Sequence, residues 1–149
     1  MGIIDNFKHI LTSINFYVPL IIGIVIIFIG SLYQKKLQKY MNSVLFSIGG
    51  IDVDFWSISH VVLYIYFGYF FPEYFVEFLI IGALWEVFES TFCKNSLQKI
   101  FGCNSTSTNK ICNTLSKLTS CDYWYGKLDD IAMNMIGFVI GAWLSTRIR

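Results

Sequence analysis

Residues 80–90, IIGALWEVFES, are apolar enough for a membrane interior, yet they take on two carboxylates, Glu86 and Glu89, near their end. Three residues apart on a helix, the two glutamates share nearly one face. A charge at the centre of a hydrocarbon layer costs about 2.5–3.5 kcal/mol on insertion scales, so such groups face a bundle interior or a watery cavity. The rest of the chain can be read by asking which groups meet these two.

Working outward, the apolar character continues in both directions. Of 149 residues, 55% are hydrophobic and 18% aromatic, and the mean hydropathy is +0.58. Apolar runs of this number and length exceed what a soluble domain of this size carries, and they indicate one all-α, polytopic membrane domain spanning 1–149. The net charge of +1 gives no nucleic-acid signal.

Residues 74–93 form a membrane helix that contains the two glutamates, with Glu77 expected at the opposite interface. Only Pro72-Glu73 separates it from 56–71, WSISHVVLYIYFGYFF, so these two helices form an antiparallel hairpin. Upstream, 16–33 is an uncharged span just long enough for a hydrocarbon core of about 30 Å. Before it, 2–14 places Ile3, Ile4, Phe7, Ile10, Leu11 and Ile14 at helical spacing, the pattern of an interfacial amphipathic helix. His9 belongs to its polar side. Between 33 and 56 lie a basic interfacial segment with Lys35, Lys36 and Lys39, then a loop broken by Gly49-Gly50. Asp52 and Asp54 are expected to be solvated there. Downstream, 94–126 is a polar loop, and 127–146 is the fourth membrane helix. On that helix Asp130, Asn134, Gly137 and Gly141 recur at spacings of 4, 3 and 4, a single stripe. Its glycines allow another helix to approach closely, either within the chain or in a homo-oligomer through the Gly137/Gly141 face.

Connectivity alone places the polar groups in depth. His60 is near the start of one helix, Glu86 and Glu89 are near the end of the antiparallel next, and Asp129, Asp130 and Asn134 are near the start of the last. All six fall at one membrane face, within about two turns of the interface at about 1.5 Å per residue. Carboxylates converging in a semi-dry cavity need protons, a cation or a cationic partner. An oxygen set made of Glu86, Glu89, Asp129, Asp130 and Asn134 suits Ca²⁺, or else Mg²⁺, better than zinc. His60 would be a general base beside it, with Glu89 as a second catalytic group. The plainer alternative is that the acids pair with Lys127 and with helix ends.

Cys93, Cys103, Cys112 and Cys121 show no CxxC pair. Their even number and the sequon at Asn104 allow disulfides in an oxidising compartment. The basic residues point the other way. Most lie on the same side as the acidic cluster, which by the positive-inside rule puts the loop in the cytosol with reduced thiols.

The pieces SHVVLYIYFGYF, LWEVFESTF and CDYWYGKLDDIAMNMIGFVIG resemble the core of the eukaryotic base-exchange phosphatidylserine synthases. That resemblance covers about residues 56–145. It implies calcium-dependent exchange of phospholipid head groups at an endomembrane, with His60 as base and Glu86, Glu89, Asp129 and Asn134 around the metal. Trp124 stands where that family carries a further aspartate. The stretch from Asp130 to Gly137, followed by Gly141, is also similar to the closing motif of VanZ-like membrane proteins. That likeness selects Asp130 over Asp129 and implies a small protein for lipid binding or membrane assembly.

Overall fold

The computed structural model describes residues 2–92, 112 and 128–148. Among these the chain is mostly helical: α1 (Ile3–Thr12), α2 (Ile14–Leu32), α3 (Gln34–Met41), α4 (Phe55–Phe70), α5 (Phe75–Phe92) and α6 (Leu128–Ile148), with a small hairpin of β1 (Phe46–Ile48) and β2 (Ile51–Val53). The expected helices are present within a few residues of their expected ends. By length and composition α6, over Asp129–Ile148, is able to cross a membrane on its own, and α1 and α2 satisfy the same test only as a pair bent by 66°. α4 is apolar but shorter, and α5 carries Glu77, Glu86 and Glu89.

The centre of the fold is the seam between α4 and α6. Its residues are small because backbone meets backbone. A Cβ added at Gly137 would run into the Val61 carbonyl, one at Gly141 into the Ile65 carbonyl, and one at Gly68 into the Phe138 carbonyl. The Gly137/Gly141 stripe is therefore filled by α4 of the same chain. Both glycines are buried in this seam, so within one chain the close helix approach expected at Gly137/Gly141 is made by α4.

Around the seam lies an aromatic core of Tyr64, Phe67, Phe71, Phe78 and Phe138, joined by Ile10 from α1. Phe67 stacks on Phe78 at 4.6 Å between ring centroids, and Tyr64 sets its edge against Phe67 at 5.7 Å. Edge and offset arrangements of this kind contribute about 0.5–1.5 kcal/mol per pair beyond burial.

α1 closes the end of the bundle away from the Glu86 end of α5. His9 stacks on Tyr74, and Asn6 Nδ2 donates to Glu77 Oε1 at 2.7 Å. Glu77 is buried at 4% exposure: the amphipathic helix covers it and supplies its donor. Deleting that donor should cost the ~1–3 kcal/mol of an unsatisfied buried acceptor. Asn6→Ala is therefore expected to lower the thermal unfolding midpoint in detergent, and Glu77→Gln to lower it less. Identical midpoints for Asn6→Ala and the parent would show the contact to be idle.

The segment between α2 and α4 also differs from a plain interfacial loop. The basic stretch is helical as α3, tied to α4 by the Trp56 indole donating to Gln38 Oε1 at 3.0 Å. Gly49 and Gly50 have φ of 61° and 87°, the double positive φ of a two-residue hairpin turn, and they pair Ile48 with Ile51 across β1 and β2. Asp52 is exposed, as expected, and bonds Ser47 across the hairpin. Asp54 is not solvated: it is 2% exposed and caps α4 by accepting from the Ser57 backbone N–H at 2.9 Å. Cys112 is disulfide-bonded, against the reduced state that the basic residues imply. Cys93, Cys103, Cys121, Asn104 and Lys127 lie outside the described residues.

Candidate functional site

Each helix of the site presents one stripe. On α4, Ser57, His60 and Tyr64 follow the i, i+3, i+7 spacing of a single face. On α5, Gly82, Glu86 and Glu89 do the same. A Cβ at Gly82 would lie 2.6 Å from the Tyr64 hydroxyl and 2.9 Å from Asn134 Nδ2, so the glycine lets α5 close onto the other two stripes. On α6 the stripe is Asp130 and Asn134, continuing into the glycines of the seam.

The result is a compact polar cluster in apolar surroundings. His60, Glu86 and Asp130 each offer one ligand atom, and these atoms all lie within 4.8 Å of one another. Glu86 is 5% exposed, Asp130 4% and Asn134 2%. His60 Nδ1 is 3.0 Å from Asn134 Oδ1, and His60 Nε2 is 4.0 Å from Asp130 Oδ2. Asp130 Oδ1 accepts from the Ser57 hydroxyl at 3.2 Å.

These distances assign the imidazole's roles. Asn134 Oδ1 is an acceptor, so Nδ1 carries a hydrogen and donates to it. Nε2 is then the nitrogen that faces the two carboxylates. When neutral it turns a lone pair toward them; when protonated it turns an N–H. Two carboxylates at about 5 Å repel by roughly 3 kcal/mol at an effective dielectric near 20. A positive charge between Nε2, Glu86 and Asp130 relieves that repulsion, as either a proton or a metal cation.

Of the groups expected at the site, His60, Glu86, Asp130 and Asn134 come together. Glu89 and Asp129 are not in the three-residue group. Glu89 lies one turn beyond Glu86, partly buried, with a hydrogen bond from the Trp85 side chain. Asp129 is half-buried on a different face of α6 from Asp130. Two participants are not expected at the site from the sequence: Ser57, and Asp54, which is expected to be solvated. The signal for them is local: Asp54-x-x-Ser57 is a capping pattern, and Ser57-x-x-His60 repeats at one-turn spacing.

No family model, no curated protein and no solved structure matches the chain. The site is therefore read from its own geometry.

Both donor types fit a divalent cation. The carboxylate oxygens of Glu86 and Asp130 suit a hard ion such as Ca²⁺ or Mg²⁺, and the imidazole nitrogen widens the set toward Mn²⁺ or Zn²⁺.

Proposed function

We propose that this chain is a polytopic membrane protein, with α2, α4, α5 and α6 crossing the bilayer, that carries a divalent-cation site for exchange or transfer of phospholipid head groups. The observation that carries the reading is the convergence of His60, Glu86 and Asp130 from three helices, both carboxylates buried and all three within ligand reach of one another. Lipid contact is supported by α2, where Ile21, Ile24 and Phe28 are all more than half exposed. An apolar surface of that extent along a helix calls for a non-aqueous cover. Residues 93–127 follow α5 and precede α6 in the chain, both at the site-bearing end, so the disulfide at Cys112 favours an oxidising compartment on the site's side.

Glu86 and Asp130 would hold the cation, which supplies Lewis-acid polarisation of a phosphoryl oxygen. His60 does the proton work. Asn134 fixes Nδ1–H, which leaves Nε2 to accept the hydroxyl proton of an incoming alcohol such as serine or ethanolamine. As the new O–P bond forms and the old one breaks, the same proton passes to the departing head-group alcohol, so nothing is consumed.

The deciding experiment is calorimetric titration of the purified protein in detergent with Ca²⁺, Mg²⁺ and Mn²⁺, beside Glu86→Gln. Saturable binding by the parent, weakened at least tenfold in Glu86→Gln, is the expected result. No binding of any of the three ions would overturn the reading. It would leave a second one, favoured by the interhelical bonds His60–Asn134 and Ser57–Asp130: a non-catalytic, VanZ-like protein for lipid binding or membrane assembly, in which these groups hold helices together.

A further inference from the structure

Ser57 is 1% exposed, and its hydroxyl lies between two buried carboxylates, 3.1 Å from Asp54 Oδ1 and 3.2 Å from Asp130 Oδ1. A serine hydroxyl has one proton to give. Asp54 Oδ1 already receives the Ser57 backbone N–H at 2.9 Å. The amide thus serves the helix cap, and the hydroxyl proton is free to serve Asp130. This bond acts on one particular oxygen. With Oδ1 held by Ser57, Oδ2 is the oxygen turned toward His60 Nε2. The terminal torsion of an aspartate is broad, and the Ser57 bond to Oδ1 restrains the carboxylate plane in that direction.

We propose that Ser57 is a positioning residue of the cation site, orienting Asp130 so that Oδ2 serves as a ligand. Asp54 acts one step further back. It anchors the first turn of α4, so Ser57 and His60, one turn apart, are presented to α6 with fixed spacing. The proposal rests on the cation-binding reading above. Partners that orient metal ligands change affinity by about 10–100-fold when removed, and an effect of that size is expected here.

The test is titration with Mn²⁺ and with Ca²⁺ of the full chain in detergent, well below its unfolding midpoint, for the parent, Ser57→Ala and Ser57→Thr. Ser57→Ala is expected to bind at least tenfold more weakly, with recovery in Ser57→Thr, which restores the hydroxyl. If the parent binds and Ser57→Ala binds equally well, the positioning role is overturned while the cation site stands. Equal weakening in Ser57→Ala and Ser57→Thr would mean that packing at residue 57, not its hydroxyl, sets affinity, and would also overturn it. If the parent binds neither ion, the cation site itself fails and this role falls with it. Should Ser57→Ala not fold, Ser57→Cys, close in size and a weak donor, takes its place, with intermediate affinity expected.

Discussion

Gly141→Ala is expected to destabilise the protein by about 3 kcal/mol or more, at the upper end of what overpacking costs, whereas Gly23→Ala should leave it unchanged or slightly more stable. A methyl at Gly141 would meet the carbonyl group of Ile65 and the backbone nitrogen of Tyr69. These are backbone atoms of a helix, so no side chain can swing aside and α4 must move as a whole. A Cβ at Gly23, inside α2, meets nothing within 4 Å, and Ala exceeds Gly in helix propensity by up to about 1 kcal/mol. The same chemical change should therefore carry opposite signs at two helical positions. Thermal unfolding in detergent, followed by circular dichroism, reads both. Equal midpoints for the two variants would mean that the α4–α6 seam does not hold the fold. Gly141→Leu should go further and fail to give a monodisperse folded species.

On the proposed function, His60→Ala is expected to lower head-group exchange by about 10²–10⁴-fold, the usual contribution of a general base, while leaving the protein folded. The imidazole is at the edge of the buried cluster, with its side chain 15% exposed, so its removal opens space on the accessible side and leaves the seam untouched. Incorporation of labelled serine or ethanolamine into vesicle phospholipid is the readout, with circular dichroism as the check on folding. Asn134→Ala should fall between the parent and His60→Ala, because the imidazole remains but loses the acceptor that fixes its tautomer. Full turnover in both His60→Ala and Glu86→Gln would remove the catalytic reading.

Depth along the bundle is legible in the sequence, because short connections force helix directions and a residue's place in its helix then gives its height. That is why His60, Glu86, Asp130 and Asn134 can be expected together before any coordinates. The close seam is legible as well, from the one-turn spacing of Gly137 and Gly141. Rotation about each helix axis is harder to read. Asp129 and Asp130 have nearly the same height and differ by about 100° of rotation, and only packing against α4 selects Asp130. Burial by a separate element is the least legible. Nothing near Glu77 announces that α1 will fold over it, whereas the cap at Asp54 has a local signal in its three-residue spacing to Ser57. The partner of Glu77, Asn6, comes from outside the helix that carries the carboxylate.

The seam joins residues far apart in the chain, since α4 ends at Phe70 and α6 begins at Leu128. During synthesis, α4 and α5 are complete well before α6 exists. Until its last helix arrives, the nascent chain holds His60 without Asn134, and Ser57 and Glu86 without Asp130, at an unfinished polar face. The polar cluster therefore comes into being late, when α6 brings its glycines onto the carbonyls of Val61 and Ile65. A ribosome stalled before that point leaves a hairpin whose polar face invites a chaperone or a protease.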